Sequence, residues 1–218
     1  MTHHKDLSHL TKIDVIDVAA AVEADKLTEA DVFKRTYLGH GSQSSVFVFQ
    51  GHAGPFRTHV HEHHDEIGYV LEGTGSVTVG GEARPADGGK LVTDLSHLTK
   101  IDVVDVAAAV EADKLTESDV FKRTYLGHGS QSSVFVFQGH SGPFRKHVHV
   151  DHDEIGYVLA GTGSVTVGGV TRPVKKGDVW VIPMNTPHGG QFEDDPQVLF
   201  ISSPIDDPDN QDRVWLDE

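Results

Sequence analysis

Short runs of β-branched and aromatic residues, separated by glycine-rich or proline-containing turns, dominate the hydrophobic pattern of this chain. The run "SSVFVFQ" at residues 44–50 recurs at 132–138 and favours a β-strand. "EIGYVLEGTGSVTVGG" at 66–81 predicts two strands joined by a glycine turn. "DVWVIP" and "QVLFISSP", at 178–183 and 197–204, predict further strands that each end at a proline. Short strands at this spacing predict an all-β barrel or jelly roll.

Helical signals are confined to short segments. "VAAAVEADKL" at residues 18–27 has a helix-forming composition. Thr28 and Asp31 follow it with the spacing of a capping box, which predicts the start of another helix. We therefore expect short helices near the N-terminus of an otherwise all-β fold.

The chain contains an internal sequence repeat that covers most of its length. Residues 6–87 align without a gap on residues 94–175, at a constant offset of 88 and with eleven differences in 82 positions. A period this long indicates a duplicated domain rather than a solenoid. Because the first copy has no counterpart of residues 183–218, we predict an incomplete domain at 1–93 and a complete domain at 94–218. Either a recent duplication or an engineered fusion explains the near-identity of the copies.

Charge and composition narrow the partners and the chemistry. The chain has 18 lysines and arginines against 33 aspartates and glutamates, for a net charge of −15. Such a surface repels nucleic-acid phosphates and anionic lipid, so we expect neither nucleic acid nor membrane as a partner. The absence of a long apolar run or a signal-peptide pattern predicts a cytoplasmic location. With sixteen histidines and no cysteine, a metal would be held by imidazole and carboxylate groups.

The densest cluster of candidate ligands lies in the second copy. His147 and His149 are two residues apart, so on a strand they point to the same side, and Arg145 shares that parity. Glu154 follows at a distance that allows the chain to turn and face back toward both imidazoles. Two histidines and one carboxylate suit a divalent transition metal with open positions. A proline-containing turn then presents His188 as a fourth candidate.

These residues resemble the two signature motifs of the cupin superfamily. The first motif corresponds to Gly142, His147-Val148-His149, Glu154 and Gly161, and the second to Gly177, Pro183 and His188. The resemblance implies a double-stranded β-helix, that is, a jelly-roll barrel. It also implies that His147, His149, Glu154 and His188 bind a metal inside this barrel.

Two departures from the family pattern accompany this resemblance. Asn185 stands where a glycine is usual in the turn of the second motif. The first copy matches only the first motif, through His59, His61 and Glu66, and lacks the second motif altogether. The three residues of the first copy are therefore expected to form a weaker second site.

Several other residues of the two copies are expected to have structural roles. The neighbouring histidines His63, His64 and His152 are interpreted as solvated or as supporting the ligands. The acidic stretch at 206–212 is interpreted as a solvated loop. The large apolar residues are expected to form the core or line the barrel; they are Phe135, Phe137, Val158, Trp180 and Phe200.

The resemblance implies several activities. An imidazole and carboxylate site suits Fe(II), although Mn, Ni, Zn or Cu are alternatives, and a dioxygenase acting on a small molecule is the leading expectation. Arg145 is then a candidate contact for an anionic substrate, or it pairs with an internal acid. A metal-dependent isomerase, decarboxylase or lyase is the alternative, as is a cupin that only binds a metal or ligand. Whether the protein is an enzyme stays open at this point.

The incomplete first copy also predicts an assembly. An open half-barrel has unpaired strand edges, which proteins usually pair or cover. We therefore expect a homodimer, or a higher oligomer, in which the N-terminal copy packs against a barrel.

Overall fold

The computed structural model describes residues 15–79, 81–94, 102–129, 131–205 and 212–216. These residues form a mostly β structure with two short helices, α1 (Val18–Ala24) and α2 (Val106–Ala112). Within the described residues, neither helix has the length and apolar character needed to cross a membrane. The strands are β1 (Ile16–Asp17), β2 (Phe33–His40), β3 (Ser45–Gly51), β4 (Glu66–Tyr69), β5 (Ser76–Val79), β6 (Glu82–Pro85), β7 (Lys90–Asp94), β8 (Asp102–Asp105), β9 (Phe121–His128), β10 (Ser133–Gly139), β11 (Gly142–His149), β12 (Asp153–Ala160), β13 (Thr162–Val167), β14 (Val170–Lys175), β15 (Asp178–Ile182), β16 (His188–Phe192), β17 (Gln197–Ser203) and β18 (Arg213–Trp215).

The second copy folds into two sheets that enclose a core. One sheet has the order β1-β15-β12-β17-β10-β9, and the other has the order β14-β13-β16-β11-β18. A single apolar cluster contains buried side chains from both sheets, so the sheets face each other. It includes all five residues expected in the core from the sequence, which are Phe135, Phe137, Val158, Trp180 and Phe200. The predicted all-β class is confirmed.

The first copy forms smaller, separate sheets. Its strands pair as β2-β3, as β5-β6, and as β4-β7 with β8 added from the second copy. Phe49 and Phe56 are exposed by 42% and 58%. Their counterparts in the second copy are the core residue Phe137 and the partly buried Phe144, which packs against the same core. The first copy thus exposes the apolar face that Phe192, Val198 and Phe200 help to cover on the second copy.

The two copies exchange their N-terminal strands. In the second copy, β15 pairs with β1 of the first copy, with Ile16 opposite Val179. In the first copy, β7 pairs with β8 of the second copy, with Val104 opposite Leu91. These two pairings are equivalent under the 88-residue repeat. The N-terminal copy therefore packs against the two-sheet fold of the second copy in its own chain.

Apolar contacts follow this exchange. Val18 of α1 is buried in a cluster with Ile155, Val179 and Val181, which also includes Leu38 of β2. Val106 and Val110 of α2 are buried in another cluster, which joins Leu91 of the first copy to strands β10 and β17. The first copy and the two helices thus pack on the face of the six-stranded sheet that points away from the core. The association of two chains stays a prediction, as do the domain boundaries.

Two buried or half-buried aspartates connect the copies in the same reciprocal way. Asp153 Oδ2 accepts hydrogen bonds from Gln43 N at 2.7 Å and from Ser44 Oγ at 2.9 Å. Its counterpart Asp65 accepts the equivalent bonds from Gln131 N and Ser132 Oγ, both at 2.9 Å. The second copy therefore binds the turn between β2 and β3 of the first copy, and the first copy binds the turn between β9 and β10 of the second.

The helix predicted to begin at Thr28 does not form. Asp31 Oδ2 accepts hydrogen bonds from Thr28 N at 2.9 Å and Thr28 Oγ1 at 2.7 Å, as a capping residue would. The segment is nevertheless a single turn, because β2 begins at Phe33 and pairs with β3 along its length. Strand pairing outweighs the local helix signal. The helix predicted within residues 18–27 is present as α1, where Asp17 caps the Ala20 amide at 3.0 Å.

Candidate metal centre

The four residues of the second-copy cluster come from three strands. His147 and His149 lie on β11, Glu154 lies on β12 and His188 begins β16. His147 and His188 are register partners across the β11-β16 pair, and their ring centroids are 4.1 Å apart. One potential ligand atom from each of the four residues lies within 4.8 Å of the others. All four side chains are buried, with exposed fractions from 0% for His147 to 7% for Glu154.

The three imidazoles are held in orientation by their Nδ1 atoms. These atoms lie 2.8 Å from Arg145 O, 3.0 Å from Asp212 Oδ1 and 2.8 Å from Thr186 O for His147, His149 and His188. An acceptor at Nδ1 places the proton there and leaves the Nε2 lone pair free. Partners of this kind commonly orient histidines that bind metals.

The surroundings of the three Nε2 atoms indicate whether the cluster suits a metal. Each is buried without a hydrogen-bond partner among the described residues. Leaving a buried polar nitrogen unpaired costs about 1–3 kcal/mol. Glu154 provides the nearest charge, with Oε2 3.3 Å from His149 Nε2 and Oε1 3.8 Å from His188 Nε2. Three free imidazole nitrogens and a carboxylate facing one point fit a divalent transition metal.

The electrostatics of the cluster keep most of its groups in the form that binds metal. Burial, together with the nearby His188, lowers the pKa of His147 to about 4. Burial also lowers the pKa of His188. For Glu154 burial opposes ionisation, but the surrounding imidazoles outweigh it and lower the pKa of this carboxyl. His149 differs, because Glu154 and Asp212 outweigh burial and raise the pKa of its imidazole.

Arg145 does not share the interior with the histidines. The register between β11 and β16 shifts between Phe144 and His147, so a β-bulge interrupts the alternation of side chains. Phe144 points inward with its ring 5.3 Å from that of His147, whereas Arg145 is exposed. The guanidinium of Arg145 lies 5.3 Å from the ring centroid of Trp215. The expectation from strict parity was therefore wrong, and the contact of Arg145 with a substrate anion stays a prediction.

Asp212 is the supporting residue that the sequence did not reveal. It belongs to the acidic stretch interpreted as a solvated loop, but its carboxylate lies 3.0 Å from both His149 Nδ1 and His152 Nδ1. It also accepts a hydrogen bond from Asp151 N at 2.7 Å. His152 is buried, with an exposed fraction of 2%, so it supports the cluster rather than being solvated. Residues 206–211 lie outside the described residues.

The turn that presents His188 is compatible with its asparagine. Asn185 has a φ of 62°, in the left-handed region that glycine favours and asparagine tolerates. Its backbone N–H donates a hydrogen bond to His149 O at 2.6 Å. The preceding Met184 N donates to Asp153 Oδ1 at 3.0 Å. Asparagine therefore replaces the usual glycine without loss of the turn, and Asp153 ties the turn to the strand that carries Glu154.

A small apolar cavity adjoins two of the four residues, Glu154 and His188. It has a volume of about 20 Å³, and most of its other large lining side chains are aromatic. One water occupies about 10–15 Å³ on this measure, so the cavity holds one or two small molecules. Its aromatic lining consists of Phe137, Phe144, Trp180, Phe192 and Phe200.

The first copy places its three matching residues together at the surface. His59, His61 and Glu66 have ligand atoms within 4.8 Å of one another, with His59 and Glu66 exposed and His61 half-buried. His61 Nε2 lies 2.7 Å from Glu66 Oε2. The predicted partial cluster is therefore assembled, and no fourth ligand joins it from the part of the chain that the structure describes. Its neighbour His63 is exposed at 90% of its side chain, as expected.

Comparison with known proteins agrees with the two-sheet architecture. The family described as "Cupin domain" matches residues 45–93 and 133–203, which together make up more than half of the chain. The protein therefore belongs to the cupin family, and both copies contribute to the match. Among curated proteins, none matches this sequence.

Solved structures extend this likeness to the fold. The "Cupin 2 conserved barrel domain protein" from Leptotrichia buccalis has a TM-score of 0.62 at 16% identity, covering 89% of this chain and 99% of that chain. KdgF from Halomonas sp. is 29% identical, covers 41% of this chain and 84% of that chain, and has a TM-score of 0.38. A salicylate 1,2-dioxygenase from Pseudaminobacter salicylatoxidans is 18% identical, with coverage of 44% and 32% and a TM-score of 0.37. The first similarity supports the cupin fold over both copies, and none of the three assigns an activity.

Proposed function

We propose that the second copy binds one divalent transition metal through His147, His149, Glu154 and His188. The observation that carries this proposal is the set of three buried Nε2 atoms that have no hydrogen-bond partner among the described residues. A purely structural cluster would leave these nitrogens unpaired at a cost in stability, whereas a metal satisfies all of them. Fe(II) is the proposed ion, because mixed imidazole and carboxylate ligands with open positions suit it, and Mn, Ni, Zn or Cu are the alternatives.

We further propose that the bound metal serves a small-molecule oxygenase reaction of the dioxygenase type. A metal at this position supplies Lewis-acid or redox chemistry to an oxygen-containing substrate and to dioxygen. The protein contributes oriented imidazoles, an ionised Glu154 and the exclusion of bulk water. The apolar cavity beside Glu154 and His188 supports this reaction, because a volume of about 20 Å³ suits a diatomic molecule such as dioxygen.

The organic substrate would then approach from outside this cavity. Trp215 is half-exposed, and its ring lies 5.3 Å from that of His147. Arg145 lies over the same indole ring. A small carboxylate or enolate near Trp215 would meet the guanidinium of Arg145 and leave its reacting end toward the histidines. This is the role proposed for Arg145.

The small cavity also supports a second candidate, a cupin that binds a metal without catalysis. A cavity of about 20 Å³ does not admit an organic substrate next to the four residues without movement of the protein. Isomerase, decarboxylase and lyase chemistry use the same family scaffold and remain alternatives to oxygenation. Oxygen consumption separates these activities, because only the oxygenase consumes dioxygen.

The first experiment measures metal content and the second measures oxygen uptake. The purified chain should bind one metal tightly, and His147→Ala or His188→Ala should remove it. His63→Ala, at an exposed histidine, serves as the matched control and should leave it in place. Fe(II)-loaded protein should consume dioxygen with at least one compound of a panel of β-dicarbonyl, catechol and hydroxy-acid compounds. No tight metal in the unmodified chain would contradict the whole proposal, and metal without oxygen uptake would favour the non-catalytic candidate.

A further inference from the structure

The second copy contains a central strand for which the first copy has no sequence equivalent. In the second copy, β17 lies between β10 and β12 and pairs with both. The corresponding strands of the first copy are β3 and β4. Within the described residues, β3 pairs with β2 and β4 pairs with β7, and neither has a partner strand on its other edge. We call the place between β3 and β4 that corresponds to β17 the open strand position.

The two edges beside the open strand position have the same sequence as those that bind β17. Residues 45–51 of β3 are identical to 133–139 of β10, and residues 66–69 of β4 are identical to 154–157 of β12. The strands also keep their register, since β2-β3 pairs like β9-β10 and β4-β7 pairs like β12-β15. Both edges thus present the backbone groups that β10 and β12 use to pair with β17.

The burial of identical side chains shows what the additional strand covers. Val48 is half-buried, whereas its counterpart Val136 has an exposed fraction of 0%. Phe49 is exposed by 42% and its counterpart Phe137 by 7%. In the second copy, β17 contributes Leu199 to the cluster of Val136 and two other buried side chains to the cluster of Phe137. The matching surfaces of the first copy therefore suit a strand that is apolar on both sides.

We propose that the open strand position binds an extended segment of another protein as an added β-strand. Backbone hydrogen bonds to both edges would supply affinity, and alternate side chains would cover the two apolar sides. A second copy of this chain is not the proposed partner, because each chain has one β17 and uses it to complete its own second copy. A β17 transferred to another chain would vacate an equal position and gain no net pairing.

The partner is expected to carry a positive charge at the start of its strand. Four of the eleven differences between the copies place an acidic residue in the first copy; they are Glu62, Glu72, Glu82 and Asp87, where the second copy has Val150, Ala160, Val170 and Lys175. Ala160 is the register partner of Gln197, the first residue of β17. The first residue of a strand in the open strand position would therefore lie opposite Glu72. A lysine or arginine there forms an opposite-charge pair with this glutamate.

The fourth residue of the partner strand is expected to be a large aromatic residue. In the second copy this residue is Phe200, opposite Gly156, on which Trp180 packs so closely that a Cβ would lie 2.3 Å from the indole ring. In the first copy the equivalent Gly68 is paired with Val92, and a Cβ there would lie 3.9 Å from the nearest atom. The smaller valine leaves space beside Gly68, which an aromatic side chain can fill.

Fluorescence anisotropy with a labelled synthetic peptide tests the proposal on the full-length chain. The peptide comprises residues 195–205, which include β17, with Gln197→Lys to supply the positive charge, and it should bind the unmodified chain. Phe49→Asp in the chain, or Phe200→Asp in the peptide, should raise the dissociation constant at least about tenfold, because a charge would enter an apolar site. Val120→Asp, at a residue of the second copy exposed by 83%, is the matched control and should leave binding unchanged.

The proposed charge pair has its own comparison. The lysine peptide should bind about 2–5-fold more tightly than the peptide with the natural Gln197, as expected for an exposed ion pair. In Glu72→Ala this preference should disappear, whereas Glu117→Ala, at an exposed position, should preserve it. A preference that persists in Glu72→Ala would overturn the proposed register of the bound strand.

A second variant serves if Phe49→Asp does not fold, as judged by thermal melting beside Val120→Asp. Phe56 is exposed by 58%, and its ring lies 5.2 Å from that of Phe49. Phe56→Asp then takes the place of Phe49→Asp in the peptide assay. Loss of peptide binding in the folded Phe56→Asp variant supports the proposal, and unchanged binding overturns it.

Three further results would overturn the proposal. The first is the absence of peptide binding to the unmodified chain. The second is unchanged binding to folded Phe49→Asp, which would mean that the peptide binds elsewhere, such as in place of β17 in the second copy. The third is a dimer, measured by light scattering, that the peptide converts to monomers, because a second copy of the chain would then be the occupant. None of these measurements depends on a metal, so their failure leaves the proposed metal site standing.

Discussion

His149 and Asp212 are 63 residues apart in the sequence, yet His149 Nδ1 lies 3.0 Å from Asp212 Oδ1. The same carboxylate lies 3.0 Å from His152 Nδ1 and accepts the Asp151 amide at 2.7 Å. It therefore holds the loop between β11 and β12 against the segment that leads into β18. This contact directs the Nε2 atom of His149 toward the other ligands.

Removal of this carboxylate is expected to weaken metal binding. Asp212→Ala deprives His149 of its Nδ1 acceptor, so the dissociation constant of the tight metal should increase about 10–100-fold. Isothermal titration with Zn²⁺ measures the change. Glu117→Ala, at an exposed position, is the control and should have no effect. An unchanged affinity in Asp212→Ala would mean that the acidic segment does not support the site.

Metal affinity is expected to fall with decreasing pH through the protonation of one histidine. The raised pKa of His149 means that a metal must displace its proton, and affinity is lost as the pH falls through that pKa. The pKa of His147, lowered to about 4, keeps this ligand neutral down to that pH. The dissociation constant should therefore rise about tenfold per pH unit between about pH 7 and pH 5.

Zn²⁺ titrations at several pH values measure this slope. Three histidines with ordinary pKa values would make the dissociation constant rise about a thousandfold per pH unit as the pH falls. A rise of that size would contradict the assignment of the pH dependence to His149 alone. In Asp212→Ala the loss of metal affinity should begin at a lower pH, because this variant lacks one carboxylate that raises the pKa of His149. Glu117→Ala again provides the comparison.

Asp153 is expected to matter more for stability than its counterpart Asp65. Asp153 is fully buried and accepts bonds from three groups, including Met184 N in the turn before His188. Asp65 is only half-buried, and it accepts bonds from Gln131 N and Ser132 Oγ. Asp153→Ala leaves three donors without their acceptor and should lower the free energy of unfolding by about 2–5 kcal/mol. Thermal melting of Asp153→Ala beside Asp65→Ala measures the difference, and equal losses would show that the Met184 contact contributes nothing.

Deletion of residues 1–93 tests the exchange of N-terminal strands. The remaining fragment keeps β8 and α2 but loses β7, on which they pack, and its β15 loses β1. Two fragments can replace the lost pairings if β8 of each fragment pairs with β15 of the other, in the place that β1 has in the full chain. This is possible because residues 104–112 differ from residues 16–24 only in having Val104 in place of Ile16. We therefore expect a dimeric fragment that retains the tight metal, as measured by light scattering and elemental analysis.

The fragment carrying Val106→Asp is the control for this exchange. Val106 has an exposed fraction of 3% in the full chain, and a charge there should prevent the helix from packing. A fragment that is monomeric, binds metal and melts as one unit would show that 94–218 folds without exchanged strands. A fragment that is unfolded or loses its metal would show that the predicted boundary at 93 and 94 is wrong.

Several features of this protein were predictable because they depend on local sequence. The strands around Phe135 and Phe200 follow from runs of β-branched and aromatic residues. The proximity of His147 to His149 follows from their spacing. Arg145 shows the limit of this reasoning. It is two residues from His147, as a shared side of the strand requires, but a bulge in β11 places its side chain outside. The turn at Thr28 shows another limit, since β2 follows directly and its pairing prevents a helix.

By itself, the sequence determined the duplicated unit, the cupin motifs and the set of four candidate ligands, because each is a matter of residue type and short spacing. Only the tertiary structure decided that Asp212 supports His149, that β1 pairs with β15, and that Arg145 lies outside. These features depend on contacts between distant segments and on the strand register. Two nearly identical copies make the choice of pairing partner ambiguous in the sequence. The choice is resolved by which surfaces are buried when both copies fold together.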